Sequence, residues 1–499
     1  MTTRLRKSLL ALALLTATVA AAVPDRPNVL LIVSEDNGPE LGCYGDPFVR
    51  TPNLDRLAAD GARFENAWTT HAVCSVSRAS FLTGLYPFQS GQIGLATHRY
   101  AMFREWDNAA SLLKAHGYRT GLIGKLHVNP ESAFPFDFRW NDRSAVSFAK
   151  RDVRRIARTA GDFFTSSAGK PFFLSVNFSD AHFPLLRQQH GLPEDPLGAG
   201  EVRTLPFIGA DSPRLRQGTA DYYNCLMRLD TGVGVLLAEL EQRGASHETL
   251  VIYLGDHGAQ FSRGKATCYE GGLRIPLILR WPEQTKPGTV CHELVSVIDI
   301  LPTILQAARL PARATLPGRS LLPLAAGRHV AWRRYLFAER TAYSAASFFP
   351  QRAVRDERFK LILNLLPGRK NPVAETYRRR NGAFFEYGTS QEEIDVSLPQ
   401  VRSAYATWSS PPDVELYDLS QDPHELRNLA DAEELSKVKS RLLAGLSAHR
   451  VELADPLLDA EKLRRLEAEH DEVSRIKRGG RYRAGDRWRY LEYLRETEE

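Results

Sequence analysis

Cysteine is scarce in this chain. Five cysteines among 499 residues (Cys43, Cys74, Cys225, Cys268 and Cys291) are too few to build a disulfide scaffold, and their odd number leaves at least one unpaired within the chain. Beyond the N-terminus no apolar run is long enough to span a bilayer, which excludes an integral membrane segment. No internal repeat is visible, which excludes a repeat array. Net charge is also small. The 65 Lys and Arg against 59 Asp and Glu give +6, too little for this length to signal nucleic-acid binding or global disorder. What is present is an ordinary globular composition, 43% apolar and 25% charged, ample for a large core in two to three domains.

The first 22 residues read as an export signal. Arg4, Arg6 and Lys7 form a basic n-region, Leu9 to Ala22 is apolar and small, and Ala20-Ala21-Ala22 resembles a cleavage site. Their removal takes three positive charges from +6 and leaves +3. An exported protein, periplasmic or secreted, is expected.

Asn28-Val-Leu-Leu-Ile-Val33 is a continuous apolar run, the texture of a strand buried on both faces in a parallel sheet. The texture returns at Phe172 to Phe178, Leu250 to Leu254 and Ile275 to Leu279, with helical periodicity between, at Pro52 to Asp60, Ala110 to His116 and Asp221 to Arg243. Alternating strands and helices predict an α/β fold with a large, mostly parallel sheet flanked by helices. Val33 is followed by Ser34-Glu35-Asp36 and Leu254 by Gly255-Asp256-His257, so two acidic strand ends are placed where α/β sheets gather their sites. From Leu310 to Ala345 a Pro-, Arg- and Ala-rich stretch reads as a connection. Beyond it, Phe348 to Arg355, Phe359 to Leu363 and Glu415 to Leu419 predict a smaller sheet domain. The expected organisation is a signal over 1–22, a catalytic domain over 23–345, a smaller C-terminal α+β domain over 346–450 and a charged helical tail over 451–499. In that tail, basic residues interleave with Tyr482, Trp488 and Tyr490, a pattern that suits a polyanion or a helix packed on the body.

The segment Cys74-Ser-Val-Ser-Arg-Ala-Ser-Phe-Leu-Thr-Gly84 carries the chemistry. Alone, Cys74 near Arg78 reads either as a thiolate nucleophile or as a small buried hydrophobe. The whole string closely resembles the type I sulfatase signature Cys-x-Pro-Ser-Arg-x-x-x-Leu-Thr-Gly. Other segments resemble the same family in order: Asn28 to Asp46, Gly124-Lys125-Leu-His127, Asp180-Ala-His182, Asp256-His257-Gly258, Gly264-Lys265 through Pro276, Val295 to Ile304, and Glu415 to Leu429.

The resemblance implies an alkaline-phosphatase-like α/β fold with a smaller C-terminal antiparallel sheet. It implies that a maturation enzyme oxidises Cys74 to formylglycine (3-oxoalanine), whose hydrated form attacks sulfur with one hydroxyl and later expels sulfate with the other. Sulfate ester cleavage spreads negative charge over oxygens, so a hard cation and fixed positive groups suit it. Glu35, Asp36, Asp256, His257 and residue 74 are the implied metal set, for Ca²⁺ with Mn²⁺ or Mg²⁺ as alternatives. Arg78 and Lys125 would hold the nucleophile, His127 would assist its diol, and Lys265 and His182 would contact sulfate, His182 acting as general acid. Val73 to Leu85, Gly91 to Leu95 and Gly124 to Phe138 look most like the N-sulfoglucosamine sulfohydrolase branch, whose substrates are heparan sulfate fragments. His98 and Arg99 are then sugar-contacting candidates. His71, His116, Glu270 and Asp299 read as structural.

Three positions depart from the family pattern. Glu35 stands where an aspartate is usual, and His257 where an asparagine is common. Val76 replaces the signature proline, so the extended form read by the maturation enzyme is permitted rather than favoured. Two other readings stay open beside the sulfatase: a phosphoester or phosphonate hydrolase of the same superfamily, and a non-catalytic glycan-binding relative in which Cys74 is not converted.

Overall fold

The computed structural model describes residues 26–380, 385–476 and 486–495. The expected export signal and Tyr482 lie outside the described residues. Eight strands form the larger sheet: β1 (Asn28–Ser34), β2 (Ala62–Trp68), β3 (Arg119–Ile123), β4 (Phe138–Trp140), β5 (Phe172–Phe178), β6 (Thr249–Gly255), β7 (Leu277–Arg280) and β8 (Thr289–Ser296). Their order is β4-β3-β5-β1-β6-β7-β2-β8. The run β4-β3-β5-β1-β6 is parallel throughout. β7 runs antiparallel to both β6 and β2, so two reversals return β2 to the common direction.

The apolar run of β1 is explained by its position at the centre. Leu30 and Ile32 pack into one core and Val29, Leu31 and Val33 into the other, so the period-2 alternation divides the strand between two apolar layers. Burying each such side chain is worth about 1.5–3 kcal/mol. Helices cover both faces. Pro213–Gln242, 30 residues long, begins earlier than its apolar periodicity suggests, because Ser212 caps it through Leu215 N–H and Pro213 fits the first turn.

A four-stranded antiparallel sheet follows, in the order β12-β11-β10-β9: β9 (Leu336–Arg340), β10 (Gln351–Arg355), β11 (Phe359–Asn364) and β12 (Val414–Asp418). β9 lies inside the stretch read as a connection. It is a short edge strand whose composition is masked by its Pro- and Arg-rich flanks. Buried polar groups join the two sheets. Lys360 of β11 reaches Glu270 (3.1 Å) and Glu425 (2.7 Å), while Arg355 of β10 and Trp68 of β2 donate to Glu270 at 3.0 and 3.2 Å.

The tail packs on the body. Trp488 and Tyr490 are fully buried beside Tyr100 and Phe348; the Trp488 indole N–H donates to His98 O at 2.9 Å and the Tyr490 hydroxyl to Gly91 O at 3.0 Å. These two rings are therefore not available to stack on a polyanion. All five cysteines are free. Among the described residues no helix is long and apolar enough to cross a membrane.

Candidate active site

The strand registers explain why distant motifs meet. Ser34 at the end of β1 lies level with Phe178 of β5 and Gly255 of β6. The loops that follow, Glu35-Asp36, Ser179 to His182 and Asp256-His257, leave the same edge of the sheet, and Gly124 to His127 leaves β3 beside them. Backbone bonds lock three of these together: Glu35 N–H donates to Asp180 O (3.0 Å), Ala181 N–H to Glu35 O (2.6 Å) and Asp36 N–H to the Asp256 carboxylate (3.0 Å). Gly255 is required here, because a Cβ would stand 2.1 Å from Asn37 O.

Cys74 is the first residue of the helix Cys74–Thr83, preceded by Val73 in extended conformation. Its sulfur lies at the positive end of that helix, 3.2 Å from His257 Nε2 and 3.8 Å from Asp36 Oδ1. Arg78, one helical turn on, faces the same way. Its guanidinium donates to Asp256 Oδ2 (3.2 Å), Asn177 Oδ1 (2.7 Å) and Lys125 O (3.0 Å), with Glu35 Oε1 at 3.6 Å. Lys265 Nζ donates to both Asp36 oxygens at 2.9 Å and to Gln260 Oε1 at 3.2 Å. Lys125 Nζ donates to Glu35 Oε2 at 2.8 Å. Glu35, Asp36, Asp256, His257 and Arg78 are all at most 1% exposed.

Burial alone would strip the charge from these cations. For Lys265, burial is opposed by Asp36, which holds the ammonium well above its usual value. For Arg78, burial is opposed by Asp256 and Glu35, with the same sign. Burial also works against charge on His257, but Asp256, Cys74 and Asp36 raise it to about 9. Asp256 is held far below the ordinary carboxylate range: burial raises it, and His257, Arg78, Lys125 and Lys265 together outweigh burial.

His127 and His182 behave in the opposite way. Burial, then the neighbouring lysines, push both well below 6.5, so both imidazoles are neutral. Both ring nitrogens of His127 are buried with no hydrogen-bond partner, in a residue held at a left-handed φ of 61°. His182 donates Nδ1–H to Phe183 O at 2.8 Å, which turns Nε2 the other way.

The donor set suits a divalent cation. His257 Nε2 lies 3.2 Å from Asp36 Oδ1 and 3.7 Å from Asp256 Oδ1. Two ligands at right angles around a Ca²⁺ ion stand about 3.3 Å apart. His257 Nδ1 is engaged by Gly258 O at 2.9 Å, which orients Nε2 toward the carboxylates. Ligand atoms of Asp36, Cys74 and His257 lie within 4.8 Å of one another, and so do those of Glu35, Cys74 and His182. Glu35 is therefore close to Cys74 and His182, and it is paired with Lys125.

His98 is buried in the turn Ala96–His98, tied to the site where Ala96 N–H donates to Ser75 Oγ at 2.9 Å. Its ring centroid lies 5.8 Å from that of Tyr343. Arg99 is exposed, at a left-handed φ of 68°. The four residues read as structural have structural partners. His71 Nε2 accepts from Thr341 N–H, His116 Nδ1 bonds Leu112 O, Glu270 joins the sheets, and Asp299 pairs with Arg333.

Two residues that shape the site had no role assigned from sequence. Asn177, which orients Arg78, carried a signal: it is a polar residue in the otherwise apolar run of β5. Asp180 was quoted within the Asp180-Ala-His182 segment but given no role of its own. It is buried and accepts from Arg151 Nη1 (2.6 Å) and from Arg228 Nη2 (2.5 Å) and Nε (3.0 Å).

The fold and site together define a hydrolase built on a strand-end cluster of carboxylates, lysines and an arginine around a helix-start cysteine. Comparison with known proteins agrees. The sulfatase family model matches residues 27–310, and the model described as N-sulphoglucosamine sulphohydrolase, C-terminal, matches 255–368. The chain is 32% identical to human N-sulphoglucosamine sulphohydrolase over 474 residues, covering 86% of this chain and 91% of that protein. It is 29% identical to an ulvan-active sulfatase of Formosa agariphila, covering 85% of this chain and 80% of that protein. Among solved structures, an enzyme bound to its substrate D-glucosamine-2-N,6-O-disulfate matches with TM-score 0.65 at 20% identity, over 86% of this chain and 98% of that one. A phosphonate monoester hydrolase from Silicibacter pomeroyi matches with TM-score 0.64 at 19% identity, over 87% and 97%. The chain belongs to the sulfatase family.

Proposed function

We propose that this protein removes sulfate from sulfated glycans, with N-sulfated glucosamine as its substrate class and residue 74, oxidised to formylglycine, as its nucleophile. The observation that carries the reading is the setting of Cys74 at a helix start, among Lys125, Lys265 and Arg78, with two unpartnered His127 nitrogens nearby. The named relative at 32% identity supports the substrate class. The hydrated aldehyde would supply one hydroxyl to attack sulfur and a second to release the product. Asp36, Asp256, His257 and Glu35 would hold a divalent cation, Ca²⁺ first among candidates, whose charge would stabilise the sulfate oxygens.

The chain's own residues supply the rest. Lys265 and Lys125 place positive charge where sulfate oxygens gather, and neutral His127 takes the proton of the attacking hydroxyl. His182 is neutral because it is buried beside two lysines. An anion bound between those lysines offsets them and raises its affinity for a proton, which it delivers to the leaving nitrogen or oxygen. Three carboxylates face three fixed cations, so with His257 deprotonated to serve as a ligand the protein part of the site is close to neutral, and a divalent ion makes it positive. Local charge, not the net charge of the chain, then attracts the sulfate. Cys74 is 2% exposed and already helical in the fold, so its oxidation by a maturation enzyme that reads an extended segment precedes folding. Export to the periplasm or beyond rests on the N-terminal pattern alone.

Mass spectrometry of the Cys74 peptide from the native host tests the nucleophile. An unmodified cysteine there sinks this mechanism and leaves a glycan-binding protein. Turnover of aryl sulfate against aryl phosphate tests the reaction class, because the fold is shared with phosphonate hydrolases; preference for phosphate overturns the assignment.

A further inference from the structure

An exposed phenyl ring stands at the mouth of this charged site. Val146 and Arg151 form an antiparallel bridge, and Ser147 N–H donates to Lys150 O at 2.9 Å, closing a tight turn with Phe148 at its tip. Phe148 is 44% exposed, one of few large hydrophobic side chains left so open. Its ring lies 4.4 Å from the His182 imidazole, centroid to centroid, with the planes 21° apart, and Lys125 Nζ is 5.9 Å from its centroid. Exposure at a loop tip usually goes with loose placement, but this tip is pinned. The buried Arg151 guanidinium donates to Phe148 O (3.3 Å), to Pro184 O (2.9 Å), to His182 O and to Asp180. One side chain thus fixes the phenyl-bearing turn and the His182 loop together.

We propose that Phe148 is a specificity-determining residue that forms one wall of the sugar site, packing against the C–H face of the pyranose ring that carries the scissile sulfate. The inference rests on the sulfatase reading above and names what that site holds beyond sulfate. A sulfate ion has nothing to gain from the electron-rich face of a phenyl ring, whereas the C–H face of a sugar does. The leaving nitrogen of an N-sulfated glucosamine is bonded directly to a ring carbon, so a sugar whose leaving nitrogen meets His182 begins one bond further out. The ring stacked on His182 is Phe148.

The test uses the matured full-length enzyme with Phe148→Ala and Phe148→Tyr, glucosamine N-sulfate as substrate and ligand, and inorganic sulfate as inhibitor. Phe148→Ala is expected to raise KM, and the dissociation constant measured by calorimetry, about tenfold, with the loss in KM rather than kcat. The inhibition constant of inorganic sulfate stays at the wild-type value, and Phe148→Tyr restores KM. An unchanged KM in Phe148→Ala overturns the wall while leaving the sulfatase reading intact. KM and the sulfate constant rising together also overturn it, since the ring would then act through the anion pocket. A wild-type protein that neither binds nor hydrolyses sugar sulfates overturns the proposed function and the wall with it.

Discussion

Replacing Asp180 by asparagine tests the frame that holds two of the site loops. The Asp180 carboxylate is 1% exposed and accepts three charged hydrogen bonds, at 2.5, 2.6 and 3.0 Å, from Arg151 and Arg228, themselves at most 1% exposed. Asparagine keeps the shape but leaves two buried guanidinium groups without a counter-charge and turns an amide N–H₂ toward one of them. Removing one partner of a buried pair costs about 3–5 kcal/mol. The carboxyl is also held below the ordinary aspartate range, because Arg228 and Arg151 outweigh burial. Its contribution is therefore complete above the unfolded value of about 4 and is lost as pH falls through the lower folded value. Urea unfolding at pH 7 should show the full loss in Asp180→Asn, and activity should fall further than stability, since Arg151 also holds His182 O. Adding Arg151→Met should recover about 1–3 kcal/mol, because one of the stranded charges is then gone. A loss below about 1 kcal/mol in the single variant, or simple additivity in the double, refutes the claim that uncompensated charge is the cause.

His470 gives a pH prediction for the C-terminal helix. Burial lowers it to about 3, and it bonds Leu466 O and the Tyr100 hydroxyl, so its stabilisation is complete above 6.5 and is lost as pH falls toward 3. Between pH 7 and 4.5 the loss is about 2.5 kcal/mol, read from Trp488 fluorescence, whose ring lies 4.8 Å away; an equal loss in His470→Gln rejects the assignment. At a hundredfold excess over its Kd, Ca²⁺ should add about 2.7 kcal/mol of stability, seen as a higher Tm that Asp256→Asn abolishes. No shift with Ca²⁺, Mg²⁺ or Mn²⁺ counts against the donor set. Lys360→Met strands Glu425 and half of Glu270 between the two sheets and should cost about 3 kcal/mol in thermal unfolding, with Lys360→Arg losing less.

What was legible in the sequence was local. The runs of β1, β5 and β6 announced themselves because a strand buried on both faces needs no alternation, and the acidic ends of β1 and β6 marked the edge where the candidate site lies. The antiparallel insertion of β7 was not legible, since direction is set by the chain's path and not by the apolar content of four residues. β9 was hidden by its neighbours' composition. The Asp180 cluster joins residues 29 and 48 positions apart, and nothing in the local pattern of Arg151 or Arg228 shows that they share a carboxylate. Phe148 was passed over because an isolated aromatic in a polar stretch carries no period. Motif resemblance brought forward Lys125, His127 and Lys265, which no periodicity would have selected.

The charge inventory of the site sets a problem that the sugar wall addresses. With Glu35, Asp36 and Asp256 matched by Arg78, Lys125 and Lys265, a divalent ion leaves an excess of positive charge in a buried space. A sulfate monoester brings one negative charge and the product sulfate brings two, so Coulomb attraction alone favours product over substrate. An enzyme that relied on the anion pocket for affinity would be inhibited by what it releases. Contacts to the sugar act on the substrate and not on free sulfate, so they restore preference for the species to be cleaved without tightening the grip on the ion to be expelled. A rigid apolar ring beside His182 supplies such a contact at a place where another cation would worsen the imbalance.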